Sequence, residues 1–158
     1  MPSKVIEDIP PGHMDSDYED ALSFAGRDWR GITSDDWRRH SCAVNFLSPE
    51  AFRYYLPSLL TLTVKDPANY PDLAFESLIS FLDCTPDPEY WTVGMAIRFS
   101  QLTLEELEVM KEWLVFACEN LPQSGVGISA KGPGDRLGRA FDTIALLHNA
   151  AWEKKELE

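Results

Sequence analysis

A chain of 158 residues is most simply one domain, long enough to bury about 70% of its unfolded surface without a disulfide or metal staple. Its 44% hydrophobic content is ordinary for a globular protein. With 26 acidic against 14 basic residues the net charge is −12, which argues against nucleic acid and anionic membranes, both of which need clustered cations, and favours a basic protein as partner.

In chain order the pattern is helical. Residues 1–14 carry Pro2, Pro10, Pro11 and Gly12 and read as a flexible N-terminal arm; residues 15–158 read as a single helical domain. Asp15 to Phe24 suits a short acidic helix ended by Gly26. Its opening, Asp15 to Asp20, is like the start of a calcium loop but lacks the glycine at loop position six and the glutamate at twelve. Thr33 or Ser34 can cap a short helix through Trp37 and Arg39. Trp29 and Trp37, with Arg27, Arg30, Arg38 and Arg39, make the basic-aromatic cluster of the chain. Pairing with Asp28, Asp35 and Asp36 would leave it neutral; left open, it would suit an acidic or aromatic partner.

Ser48 is a good N-cap. Pro49 follows at the first helical position, where a missing N–H costs nothing, and Glu50 lies where the helix dipole favours negative charge. Phe52, Tyr55, Leu56 and Leu59 fall on one face of a helix running to about Val64. Pro57 interrupts its hydrogen-bond ladder, so a kink is expected. Arg53 and Tyr54 are candidate partner-binding residues, since Tyr and Arg are enriched at interface hot spots.

Asp66-Pro67 breaks this helix. A further helix is expected over 71–82, with Leu73, Leu78, Ile79 and Leu82 turned inward. From Asp66 to Ile97 there is no Lys or Arg. Asp72, Glu76, Asp83, Asp87 and Glu89 are therefore candidates for an acidic partner-binding surface. Residues 83–89 read as a loop. Residues 91–99 are ambiguous: Thr92, Val93 and Ile97 favour a short strand or hairpin, whereas Gly94, Met95 and Ala96 do not.

Thr103 and Glu106 form a capping box, and Leu102 and Leu107 are spaced as its hydrophobic staple. The helix that follows places Leu107, Met110, Leu114, Ala117, Cys118 and Leu121 on one face. Val109, Trp113 and Phe116 widen that face, so the helix is expected to be buried on two sides. It also carries Glu105, Glu106, Glu108, Glu112 and Glu119 against Lys111. Pro122 ends it, and a last helix runs from about Asp135 to Lys155.

Between them lies a Gly-rich run containing Gly125, Gly127, Lys131, Gly132, Gly134 and Arg136. Small residues leading into a helix can cradle an anion on backbone N–H groups. The run lacks the Gly-Lys-Ser/Thr ending of a P-loop and follows a helix rather than a strand. A flexible connector is the simpler reading.

No catalytic constellation, metal site or cofactor site is read from the sequence. His13, His40 and His148 are not at ligand spacing. Cys42, Cys84 and Cys118 are odd in number and form no Cys-x-x-Cys, as expected of reduced thiols in a cytoplasmic protein. The N-terminus has no apolar h-region, and no run approaches ~18 apolar residues.

The run Ser48-Pro49-Glu50-Ala51-Phe52-Arg53-Tyr54-Tyr55-Leu56-Pro57 resembles the core motif of a family of small bacterial proteins without an assigned biochemical function. Phe99 to Glu106 is similar to a second segment, which in the family often reads Leu-Thr-Pro-Glu-Gln; here Leu104 replaces the proline and Glu106 the glutamine. The resemblance covers residues 29–121. It implies a bacterial origin and a mostly helical single domain, and it carries over no catalytic residue.

Three functions fit. The first is a non-catalytic acidic protein-binding module, in its sharpest form an immunity or antitoxin-type inhibitor of a basic toxin such as a nuclease. The second is a small-anion or nucleotide-binding protein, or an enzyme, using the Gly-rich run. The third is a scaffold whose acidity serves solubility. The first requires a clustered acidic face drawn from 66–89 and 105–112, the second an ordered loop around a pocket, the third evenly spread acids.

Overall fold

The computed structural model describes residues 1–7, 16–84, 87–121 and 133–156. The fold is all-α. Among the described residues there are eight α-helices: α1 (Ser16–Leu22), α2 (Ser34–Arg39), α3 (Ala43–Phe46), α4 (Pro49–Lys65), α5 (Asp72–Leu82), α6 (Val93–Phe99), α7 (Leu104–Asn120) and α8 (Pro133–Glu156). Short 3-10 turns occupy Trp29–Gly31 and Pro88–Tyr90. No helix among the described residues is long and apolar enough to cross a membrane. The chain divides into two compact units, Met1–Leu78 and Ile79–Glu158, and the division falls within α5.

The first unit is organised by α4. Ser48 caps it, its Oγ accepting from Ala51 N at 3.2 Å. The same hydroxyl donates to Lys4 O at 2.8 Å, and Ser48 N donates to Val5 O. Ile6 and Leu47 form an isolated bridge, and Ser3 donates from N and Oγ to the Glu50 carboxylate. Residues 3–6 thus lie along the start of α4; the rest of the expected arm, 8–14, is outside the described residues. α4 continues through Pro57 to Lys65.

Inside this unit Phe24 packs on Trp37 and Tyr55, with ring centroids 4.6 and 5.5 Å away. The polar tips of the two partners are satisfied internally, as buried Trp and Tyr require. Trp37 Nε1 donates to Ser58 Oγ at 2.9 Å, and Ser58 Oγ donates to Tyr55 O. Tyr55 OH donates to the carbonyls of Phe24 and Arg27. Burial raises the Tyr55 phenol above its ordinary pKa, and the neighbouring Tyr54 adds to the shift.

In the second unit α7 and α8 pack along one another. The strand or hairpin considered near 91–99 is instead helix α6. Thr92 supplies its cap, accepting from Met95 N at 3.3 Å. Met95 and Phe99, four apart, are buried, while Val93, Gly94 and Ile97 face solvent. The β-branched residues that favour a strand sit at the cap and on the exposed side, where propensity decides little.

Three further expectations are corrected. Leu73 is 49% exposed; Ala74, Phe75, Leu78, Ile79 and Leu82 make the buried face of α5. Helix α7 is buried on one side rather than two, because Val109 is exposed and Phe116 half-buried. Cys118, expected on the buried face, is exposed.

Candidate functional site

Helix α7 sorts its residues sharply. Thr103 Oγ1 accepts from Glu106 N at 3.2 Å, and Glu106 Oε2 accepts from Thr103 N at 2.8 Å. Leu102 and Leu107 are both buried, completing the staple. This fixes the helix's rotation, so Leu107, Met110, Trp113, Leu114 and Ala117 point inward. At 3.6 residues per turn the opposite side is an arc of ~120° that holds Glu105, Glu108, Val109, Glu112, Val115, Phe116 and Glu119. All but the half-buried Phe116 are exposed.

The arc carries four glutamates and no Lys or Arg. Lys111, at its edge, donates to Glu108 Oε2 at 2.8 Å, and His148 Nε2 lies 3.6 Å from the same oxygen. Lys111 holds the Glu108 carboxyl below its ordinary pKa, and His148 acts in the same direction. Glu105 and Glu108 at i, i+3 and Glu108 and Glu112 at i, i+4 are like charges that repel, and the Lys111–Glu108 pair offsets part of that repulsion. The arc presents carboxylate acceptors and aliphatic surface together. Sequence reasoning grouped Val109 with the core; the signal that separates it is that 105, 109 and 112 share the phase of the acids, not of Leu107 and Met110.

The other candidates are divided between the two units. Trp37 is buried at 1% exposure. Trp29 is half-buried, with the Arg30 guanidinium stacked 4.8 Å from its ring. Three of the four arginines around them pair with those aspartates: Arg27 with Asp36 at 2.8 Å, Arg30 with Asp28 at 3.6 Å, Arg38 with Asp35 at 3.0 Å. Arg27 holds the Asp36 carboxyl well below the usual carboxylate range, with help from Thr33. Arg53 is exposed, and Tyr54 is half-buried, edge-on to Tyr55 at 5.0 Å. Asp72 is exposed and Glu76 half-buried.

In the second unit Asp83 is engaged by two arginines. Arg139 donates from Nε to its Oδ1, and Arg136 from Nε to its Oδ2 at 3.2 Å. Arg139, and then Arg136, hold this carboxyl below its ordinary pKa. Arg136 also donates to Ser80 Oγ at 2.9 Å. Asp87 spends an oxygen capping the 3-10 turn at Glu89 N, and both residues are exposed. Of the anion-binding alternative, Gly125, Gly127, Lys131 and Gly132 lie outside the described residues, and Gly134 falls in the first turn of α8. Among the described residues no group of three His, Cys, Asp or Glu side chains is placed to hold a metal.

A family model matches residues 12–125. The chain belongs to DUF6714, a family of unknown function. No curated protein and no solved structure matches it. The DUF6714 match takes in the Ser48 to Pro57 run and the whole acidic arc of α7, and it ends before α8.

Proposed function

We propose that this DUF6714 protein is a non-catalytic binding module that captures a basic protein on the exposed arc of α7. The observation that supports this reading is the segregation of Glu105, Glu108, Glu112 and Glu119, with Val109 and Val115, onto one solvent-facing side. A net charge of −12 would steer a cationic partner toward that side, and interleaved valines would hold it after encounter. The sharper form is an inhibitor of the immunity or antitoxin type, acting in the bacterial cytoplasm on a basic toxin such as a nuclease.

The test is affinity capture from native lysate at low salt, run in parallel with wild type and with Val109→Lys/Glu112→Lys. The expected result is one stoichiometric basic protein held by wild type, released between about 0.1 and 0.5 M salt as exposed charges are screened, and absent from the variant. An empty wild-type column, or equal retention by both, overturns the reading.

A further inference from the structure

Where α7 and α8 pack, a cavity of about 330 Å³ opens between them. The two helices line it with the same spacing, i, i+1, i+4 and i+5, starting from Leu114 and from Leu137. Leu114, Leu137 and Phe141 make it apolar. The charged lining residues are Glu119 and Asp142, one from each helix, and both are exposed. Gly138 also lines it, and a Cβ built there would meet nothing within 4 Å. Val115 and Glu119 belong both to this lining and to the acidic arc, so the cavity is continuous with the arc.

We infer that this cavity receives an apolar side chain of the basic partner, with a Lys or Arg beside that side chain held by Glu119 and Asp142. The inference rests on the binding role proposed above and locates its anchor. The apolar lining rewards desolvation of an inserted ring or aliphatic group, and the volume lies at the lower end of sites that enclose a small ligand. Two carboxylates on the rim repel an acidic segment and complement a cationic one. Exposed charge alone would give fast, loose encounter; one apolar anchor in a shaped pocket beside that charge is how interfaces concentrate their binding energy.

The probes are two synthetic peptides of equal positive charge, Lys-rich, one with a central Trp and the other with Ser in its place. Binding is read by fluorescence anisotropy at low salt against wild type, Gly138→Ala, Gly138→Leu and Val109→Lys/Glu112→Lys. The Trp peptide should bind wild type about tenfold more tightly than the Ser peptide, a difference of about 1.4 kcal/mol. Gly138→Leu, filling the cavity, should abolish that advantage, and Gly138→Ala should reduce it partly. Both substitutions replace a helical glycine with a better helix former, and helicity by circular dichroism verifies the fold. Val109→Lys/Glu112→Lys should weaken both peptides while preserving their ratio.

Equal affinities for wild type, or an advantage that survives Gly138→Leu, overturn the cavity inference. If both peptides still respond to the charge reversal in that case, the acidic arc stands without its anchor. If neither peptide responds to the charge reversal, the binding reading itself falls.

Discussion

Helices α4 and α7 are both 17 residues long, and each is capped by a hydroxyl that accepts from the backbone N–H three residues on. They nevertheless serve opposite purposes. The arc of α4 that packs inward includes Tyr55, Ser58 and Thr63, whose hydroxyls bond to backbone carbonyls, so even its polar groups are spent internally. The arc of α7 that faces outward holds carboxylates at 105, 108, 112 and 119. The comparison teaches that cap and length do not distinguish a scaffold helix from a display helix; the side opposite the core does. Repulsion among Glu105, Glu108 and Glu112, offset only in part by Lys111, is not what helix stability alone favours.

The largest expected effect tests the scaffold side. Trp37→Ala removes a fully buried indole and leaves Ser58 Oγ without its donor. Large aromatic truncations of this kind cost about 3–5 kcal/mol. Urea unfolding should show the midpoint fall steeply. A loss below about 1 kcal/mol would mean that Trp37, Tyr55 and Ser58 are not the packed centre of the first unit.

An intermediate effect applies the comparison to charge. Asp36 in the first unit and Asp83 in the second are carboxylates engaged by arginines. Each has a folded-state pKa below its unfolded value, so below about pH 4 the unfolded chain holds more protons. Their stabilisation is therefore fully present at neutral pH and is lost as pH falls from about 4 downward. Asp36→Asn or Asp83→Asn should cost about 1–2 kcal/mol at pH 7, allowing for partial screening, and should flatten the acid limb of a plot of stability against pH. An unchanged acid limb in both variants would show that these pairs do not couple protons to folding.

The sequence reveals much of this division, but unevenly. Thr103 and Glu106 announce the α7 cap because a capping box is local, four residues read in a row. The matching box in α2, Thr33 with Asp36, hides behind an aspartate where Glu or Gln is usual. The four-residue helix α3 went unread because so short a turn has no period of its own. Tertiary partners escape altogether: nothing near Asp83 in the chain signals that Arg136 and Arg139, more than 50 positions on, will close on it. The acidic arc was in plain view as letters, yet Val109 and Phe116 were assigned to the core because any apolar residue can be read inward. Burial of Trp37 is the converse case, an indole set among charged neighbours that nonetheless points inside.

The smallest expected effect is the most discriminating. Val109→Lys/Glu112→Lys alters two exposed positions in the middle of α7, neither of which lines the cavity. Surface substitutions away from caps and core stay within about 0.5 kcal/mol, and Lys is a good helix former. Replacing Glu112 also relieves its repulsion with Glu108, four residues before it, so a slight gain in urea midpoint is expected. Stability that is unchanged or raised while cationic peptides lose affinity would mean that the native residues are kept against the helix's own preference. A marked loss of stability would instead assign Val109 and Glu112 to folding, and the contrast between α4 and α7 would collapse.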